Sequence, residues 1–379
     1  MTEGGTARAS IAGALAFLGG CGDSASETGE RGVAAGPAVV PVREILLEET
    51  YEAYLGNPYT LVVDTADGSF LVSDNFQGRI VRFGRDGGIV QRYGRAGEGP
   101  DEFKGMGPTF ILNDSVVVGV DAQRRLFKLF SREDGEYLES FRYRGAIGGD
   151  ASVVAGMVVA PSMEFEDDFT SVMIWDPGEG SFRYLVDLPE PYMQSLRGIG
   201  AFAGSMASGS VLGWPDTMLA GMAGVNELVL ATWGGEVLDT IRPSSVRRRG
   251  VPENLQVKLE TDMSLSFRDR VEMMSLLAGV YRMLNGQTVL IHFDQTVKGE
   301  IPNVEWLADI YLTVLSADRR TACVDGFVPY TNETRARLTV ARDTLFLLDR
   351  LINETDDDLE TWIRLYEIDT SGCDWLPAT

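Results

Sequence analysis

The feature that most constrains the fold is a pattern of short apolar segments that occurs twice between residues 58 and 141. The first copy has four segments rich in Val, Ile, Leu and Phe, at Leu61–Asp64, Ser69–Asp74, Arg79–Phe83 and Ile89–Tyr93. The second copy has them at Phe110–Leu112, Ser115–Asp121, Arg125–Phe130 and Tyr137–Phe141. Asp-Gly and Asn-Asp pairs separate the segments, and these residues favour tight hairpin turns because they tolerate positive φ. Each copy is therefore predicted to form one antiparallel meander.

A glycine-rich connector joins the two copies. Its marked residues are Gly94, Arg95, Gly97, Gly99, Pro100 and Phe103. Spaced glycines do not continue a strand ladder, and proline fixes a bend. The strand pattern followed by this connector resembles the junction between blades of bacterial six-bladed β-propellers of the NHL-repeat type. The resemblance is specific over roughly residues 56–143. The later units match it only in the spacing of their apolar segments and turns.

The resemblance implies an all-β, six-bladed propeller of four-stranded antiparallel blades over residues 39–379. Four further units with the same rhythm follow Phe141. Val39–Leu47 reads as a strand without a local partner, so we expect it to pair with the C-terminal blade and close the ring. The alternative is a ring of seven or eight blades, in which Asn254–Met283 hides a degenerate blade.

The strand rhythm changes near residues 254–284, where the sequence predicts a helical insertion. Ser266 is suited to cap a helix start. Apolar residues then recur at helical spacing, at Val271, Met274, Leu277, Val280 or Tyr281, and Leu284. We expect this apolar stripe to pack on the propeller surface.

The N-terminus has the features of a lipoprotein signal peptide, assigned here to residues 1–21. The apolar run Ile11–Leu18 is shorter than the ~20 residues of a membrane-spanning helix. Leu18-Gly19-Gly20-Cys21 resembles a bacterial lipobox, which implies lipid attachment at Cys21. Residues 22–38 lack aromatic side chains and read as a disordered tether. The alternative is a disordered N-terminus with an incidental cysteine.

These features predict an extracytoplasmic protein, anchored by lipid to the outer membrane or facing the periplasm. The formal net charge is −23, from 56 acidic and 33 basic side chains. Such a chain repels nucleic acid, so nucleic-acid binding is not expected. We expect a monomer.

The sequence identifies no catalytic residue. His292 is the only histidine, which excludes zinc sites built on several imidazoles. His292 remains a formal base for a Ser-His-Asp triad, but no Gly-x-Ser-x-Gly motif accompanies it. A structural or surface role for His292 is therefore favoured.

Calcium is the one cofactor that remains open. Six-bladed propellers include calcium-dependent lactonases, whose metal lies in the central channel. Asp64, Asp74, Asn75 and Asp121 occupy corresponding turns of the first two units. Turn chemistry explains their repetition better, because Asp and Asn bond to nearby backbone where strands end. The acidic loop at residues 164–168 is likewise favoured as a solvated run over a calcium site.

Two cysteines remain besides Cys21. Cys323 and Cys373 each read as lying in the outermost strand of one of the last two units. Equivalent positions of neighbouring blades can come within disulfide range, and export permits oxidation. Two independent buried thiols are the alternative.

The sequence favours a non-catalytic binding or scaffolding propeller that engages a protein, peptide or glycan through one face. The alternative is a calcium-dependent hydrolase of the lactonase type. Arg247-Arg248-Arg249 is either an anion or partner site or a solvated basic run, and the solvated run is favoured.

Overall fold

The computed structural model describes residues 35–50, 54–164, 170–187, 209–222, 227–244, 247–249, 272, 275–300, 303–332, 337–352 and 359–378. The signal peptide, Cys21, most of the tether and most of the acidic loop predicted from the sequence lie outside these ranges. In the described part of the chain, no helix is long and apolar enough to span a membrane.

The first two blades match the two copies seen in the sequence. Strand β1 (Ala38–Leu46) precedes them. Blade 1 contains β2 (Pro58–Val63), β3 (Phe70–Asp74), β4 (Arg79–Phe83) and β5 (Ile89–Tyr93). The connector forms two short parallel strands, β6 (Arg95–Ala96) and β7 (Glu102–Phe103). Blade 2 contains β8 (Met106–Asn113), β9 (Val116–Asp121), β10 (Leu126–Ser131) and β11 (Tyr137–Arg142).

Blades 3 and 4 have the same antiparallel order. The innermost position of blade 3 is shared by β12 (Ala146–Ile147) and β13 (Ser152–Val154), which both pair with β14 (Met157–Glu164). Strands β15 (Thr170–Asp176) and β16 (Ser181–Asp187) complete that blade. Blade 4 contains β17 (Gly209–Gly213), β18 (Thr217–Met222), β19 (Leu228–Thr232) and β20 (Val237–Ile241).

Blades 5 and 6 complete the ring. Blade 5 contains β21 (Leu276–Arg282), β22 (Thr288–Glu300), β23 (Asn303–Leu315) and β24 (Thr321–Asn332). Blade 6 contains β25 (Arg337–Ala341), β26 (Thr344–Ile352) and β27 (Leu359–Asp369), and β1 is its fourth strand. The short strand β28 (Leu376–Pro377) pairs with the outer edge of β24.

The first strands of the six blades surround one axis. Strand β2 contacts β8 and β25, β13 contacts β8 and β17, and β21 contacts β17 and β25. These contacts form a closed cycle, so the fold is a six-bladed propeller with a central channel. The predicted fold class is confirmed, and the alternative with more blades is wrong.

The N-terminal strand closes the ring as predicted. Strand β1 pairs antiparallel with β27 over its whole length, from Ala38 opposite Asp369 to Leu46 opposite Trp362. Blade 6 therefore combines the first strand of the described chain with β25, β26 and β27. Strand β1 is the outer edge of this blade, and its Val40 and Val42 are exposed.

The predicted helical insertion is wrong over residues 276–284. Residues 276–282 form β21, the innermost strand of blade 5. A β-bulge between Leu277 and Gly279 adds one residue to the strand. The bulge makes Leu277 and Val280 both face inward, at 2% and 3% exposure, although they are three residues apart. Their spacing therefore imitated a helix. Glu272 is helical, and residues 254–271, 273 and 274 of the predicted insertion lie outside the described ranges.

The hydrophobic core lies between neighbouring blades. Apolar side chains of adjacent blades alternate inward along each strand, as for two packed sheets. The junction of blades 2 and 3 is the most aromatic, with fully buried Trp175 stacked on Phe127 at a centroid distance of 4.6 Å. Trp175 is thus a core residue and is not available to a partner.

Candidate binding site in the central channel

Four side chains from four different blades meet in the central channel, and we call them the channel cluster. Tyr59 lies in β2 of blade 1, Tyr281 in β21 of blade 5, and Arg337 at the start of β25 of blade 6. Asp150 lies in blade 3, in the break between β12 and β13. All four side chains are partly exposed. Each of them therefore keeps part of its surface uncovered by the rest of the described chain.

The central contact of the channel cluster joins two blades that are not neighbours. The Tyr281 hydroxyl lies 2.6 Å from Asp150 Oδ2 and 3.1 Å from the carbonyl oxygen of Leu338. Blade 4 lies between blades 3 and 5 in the ring, so the bond from Tyr281 to Asp150 links the blades on either side of it. Arg337 Nε donates to the carbonyl oxygen of Pro58 at 3.0 Å. Its guanidinium carbon lies 5.5 Å from the centroid of the Tyr59 ring.

Gly279 makes room for the Tyr281 ring. A Cβ atom at position 279 would lie 2.5 Å from Tyr281 Cζ, well inside van der Waals contact. The bulge in β21 places this glycine directly beneath the ring. The sequence of β21 therefore sets the direction in which Tyr281 enters the channel.

The channel raises the pKa of the Asp150 carboxyl to about 6. Burial is the main cause, and the hydrogen bond from Tyr281 and the charge of Arg337 partly oppose it. Burial also raises the pKa of Tyr281, as does the adjacent Asp150 charge. A desolvated carboxylate that keeps an exposed surface is typical of a functional site.

We expect Asp150→Asn to make the protein more stable than the wild type at pH 7.5. The folded-state pKa of Asp150 is raised above the ordinary 3.8. Protonated Asp150 therefore stabilises the fold fully at pH values below 3.8. This stability is lost as pH rises through about 6. Asparagine stays neutral at both pH values. The free energy of unfolding of Asp150→Asn, relative to that of the wild type, should therefore rise by about 1–2 kcal/mol from pH 4 to pH 7.5. Urea unfolding at both pH values measures the difference.

Asp114→Asn is the matched control, because it removes the same charge from an exposed turn of blade 2. Its effect should stay within about 0.5 kcal/mol at both pH values. Equal effects of the two variants would show that Asp150 is not desolvated.

The aspartates at turns of the first two blades have structural partners. Asp74 and Asp121 are fully buried and accept backbone N–H groups of the connection that leads into their own blade. They also accept N–H groups of the turn that follows them. Asp64 pairs with Arg82 and Arg132. These carboxylates hold turns, in agreement with the explanation from turn chemistry, and they do not face one another.

His292 is placed as a structural residue. Its side chain is fully buried and its ring stacks on Tyr311 at 5.5 Å. Burial and the charge of Arg248 lower the pKa of His292 to about 3, so the ring is neutral. Neither ring nitrogen has a hydrogen-bond partner among the described residues, and Asp325 lies 4.0 Å away. No described serine is positioned for this histidine to activate.

The arginine run clamps its own segment to blade 5. Arg247 donates to the Tyr311 hydroxyl at 2.7 Å. Arg249 donates to the carbonyl oxygen of Glu272 and lies 3.5 Å from Asp294. These contacts use both guanidinium groups within the fold and give no support to the anion-site interpretation.

The junction motif is a compact structural loop. Glu102 accepts hydrogen bonds from Arg95 at 2.8 Å and from the N–H of Gly99 at 2.6 Å. Lys128, which is 1% exposed, donates to the carbonyl oxygens of Gly99 and Pro100. Phe103 is buried against Phe130 at 5.7 Å. A Cβ at Gly94, where φ is +68°, would collide with the Phe103 ring.

The two cysteines are joined. Cys323 in β24 forms a disulfide with Cys373, at a Cα separation of 5.6 Å. Cys373 lies in the turn after β27 and not in an outermost strand, because β1 occupies that place in blade 6. The disulfide ties the tail of the chain to the outer edge of blade 5.

The described residues do not assemble a metal cage. No group of three or more His, Cys, Asp and Glu side chains in the described ranges is placed to hold a metal ion. Asp150 is the carboxylate of the channel cluster, and a calcium site needs six to eight oxygen ligands. Calcium binding therefore stays a prediction from the sequence, without a ligand set among these residues.

Sequence reasoning missed every member of the channel cluster. Tyr59, Asp150, Tyr281 and Arg337 carry no motif and lie far apart in the chain. The one available signal was Gly148-Gly149-Asp150, where a glycine pair interrupts a strand and points to a bulge.

Comparison with solved structures supports the fold. A member of the DUF4221 family from Bacteroides vulgatus aligns with a TM-score of 0.59 at 9% identity, over 89% of this chain and 99% of the other. A candidate exported protein from Bacteroides fragilis aligns with a TM-score of 0.57 at 10% identity, over 88% and 96%. A gluconolactonase from Xanthomonas campestris aligns over 89% and 99% at 15% identity, but its TM-score of 0.46 carries no argument on activity. No protein-family model and no curated protein sequence matches the chain. The chain is thus similar in fold to these two Bacteroides proteins, at identities that support the fold alone.

Proposed function

We propose that this chain is a non-catalytic binding propeller that holds part of a protein, peptide or glycan in its central channel. The observation that carries the proposal is the channel cluster, in which four blades bring a carboxylate, a guanidinium group and two phenols together. Each of these side chains keeps an exposed surface. A rigid ring that presents a few polar groups in a concave site is suited to hold a ligand.

The channel chemistry favours binding over hydrolysis. A lactonase of the calcium type needs several oxygen ligands around one metal. In the described residues the cluster combines one carboxylate with a positive guanidinium group, and that charge opposes a cation. The cluster also contains no serine, cysteine or histidine that would act as a nucleophile or base.

The propeller is proposed to work outside the cytoplasm, anchored to the bacterial envelope through lipid on Cys21. Three observations support this location. The leader resembles a lipoprotein signal, the fold contains a disulfide, and a propeller of similar fold from Bacteroides fragilis is a candidate exported protein. The likeness of the junction motif to NHL-repeat propellers is also kept as part of this proposal.

Capture of envelope components by the immobilised chain tests the proposed function. Gly279→Ala should displace the Tyr281 ring and lower the amount of captured partner at least tenfold. Gly372→Ala is the matched control, because a Cβ at Gly372 meets no atom within 4 Å. Equal capture by both variants would show that the partner binds outside the channel. Calcium-dependent hydrolysis of a sugar lactone that Asp150→Asn abolishes would contradict the non-catalytic function.

A further inference from the structure

The Asp150 carboxylate has unused hydrogen-bonding capacity. An ionised carboxylate accepts about four hydrogen bonds. Among the described residues, Asp150 accepts one, from the Tyr281 hydroxyl. The Asp150 side chain is also partly exposed. A ligand in the channel can therefore donate to Asp150.

The Tyr281 hydroxyl cannot satisfy all of the hydrogen-bond acceptors around it. The hydroxyl has one proton, yet it lies within hydrogen-bond distance of two acceptors, Asp150 Oδ2 and the Leu338 carbonyl oxygen. When Asp150 is ionised, a proton given to one acceptor is withheld from the other. The nearby Thr339 side chain lowers the pKa of Tyr281, against the larger effects of burial and Asp150. The site therefore lacks a donor and not an acceptor.

The charge beside Asp150 selects the kind of donor. Arg337 interacts electrostatically with Asp150 and lies over Tyr59, so a fixed positive charge faces the site. An ammonium group would have to lose its water next to this guanidinium group, which is unfavourable. A hydroxyl group is neutral and both donates and accepts. Neighbouring hydroxyls can thus donate to Asp150 and accept from a cationic donor beside it.

Resting on the proposed function, we infer that the ligand is a glycan and that a hydroxyl group of one sugar residue donates to Asp150. The Leu338 carbonyl oxygen then keeps the proton of Tyr281, so both acceptors are satisfied.

Ligand-detected NMR on the full chain tests this inference with two sets of probes. The first set is the neutral methyl glycosides of hexoses and N-acetylhexosamines. The second is N-acetyl-lysine amide, which presents an ammonium group of a peptide. At least one glycoside should bind, and Asp150→Asn should weaken its binding about tenfold, because a bond to a charged acceptor is replaced by a neutral one.

Three controls make the outcome specific. Asp114→Asn should leave glycoside binding unchanged. Tyr281→Phe should also weaken binding, because it leaves the Leu338 carbonyl oxygen in competition for the sugar hydroxyl. Asp150→Asn is expected to be the more stable protein at neutral pH, so its loss of binding cannot come from unfolding.

The failures of the two proposals are distinguishable. If no glycoside binds, or if Asp150→Asn binds as the wild type does, the sugar inference is wrong. If the lysine amide binds and depends on Asp150, the sugar inference is wrong but a peptide-binding channel remains. If Gly279→Ala also leaves the amount of captured envelope partner unchanged, the proposed function itself is wrong.

Discussion

Asp74→Ala is expected to lower the free energy of unfolding by about 3–5 kcal/mol. The Asp74 carboxylate is fully buried and accepts backbone N–H groups from Gly56, Asn57, Phe76 and Gln77. A hydrogen bond to a charged group is worth roughly 1.5–3 kcal/mol, and buried donors without a partner cost more. Urea unfolding followed by tryptophan fluorescence measures the loss.

Asp86→Ala is the matched control in the same blade. Asp86 accepts one N–H, from Gly88 at 3.2 Å, in an exposed turn. Its loss should cost less than about 1 kcal/mol. A milder variant, Asp74→Asn, keeps one acceptor oxygen and should fall between the two. Equal losses for Asp74→Ala and Asp86→Ala would mean that Asp74 does not anchor the connection into blade 1.

Reduction of the disulfide is expected to lower the free energy of unfolding by about 4 kcal/mol. Cys323 and Cys373 are 50 residues apart in sequence. Joining them restricts the unfolded chain, and the chain-entropy relation gives this magnitude for a loop of that length. Urea unfolding with and without a reductant measures the effect.

The double variant Cys323→Ala, Cys373→Ala separates loss of the disulfide from other effects of the reductant. It should unfold as the reduced wild type does, and the reductant should not change it further. A wild-type protein whose unfolding is the same with and without reductant would contradict the pairing.

The blade pattern could be predicted from the sequence because blades share a short local sequence feature. Two second strands end in an aspartate, β3 at Asp74 and β9 at Asp121, and the longer second strands β22 and β26 contain Asp294 and Asp349 before their ends. In blade 5, Asp294 accepts the hydroxyl of Ser275, and in blade 6, Asp349 accepts that of Tyr330. In blades 1 and 2, an apolar segment that ends in Asp therefore marks the second strand of the blade.

Strands β18 and β21 were not predicted, for two different reasons. Strand β18 consists of Thr-Met-Leu-Ala-Gly-Met, which has few residues of high β-propensity. It forms because it is buried between β17 and β19. Strand β21 has a bulge that shifts its alternation. Tertiary packing decides both strands, and a single sequence does not show it.

The channel cluster was beyond prediction because it depends on ring closure. Asp150 and Tyr281 are separated by 131 residues, and Arg337 donates to a carbonyl 279 residues away. Only the closed ring brings these blades to one axis. By contrast, the positive φ of Gly94 and the burial of Phe103 belong to one contiguous motif, which can be recognised in the sequence.

The titration of the Asp150 carboxyl, followed by carbon-13 NMR, tests the channel site most directly. The account predicts a midpoint near pH 6 in the wild type. It also predicts a higher midpoint in Tyr281→Phe, because the hydrogen bond from Tyr281 lowers the pKa of Asp150. A midpoint at the ordinary value of 3.8 that Tyr281→Phe does not move would contradict it. In that case the two side chains would not meet across the channel.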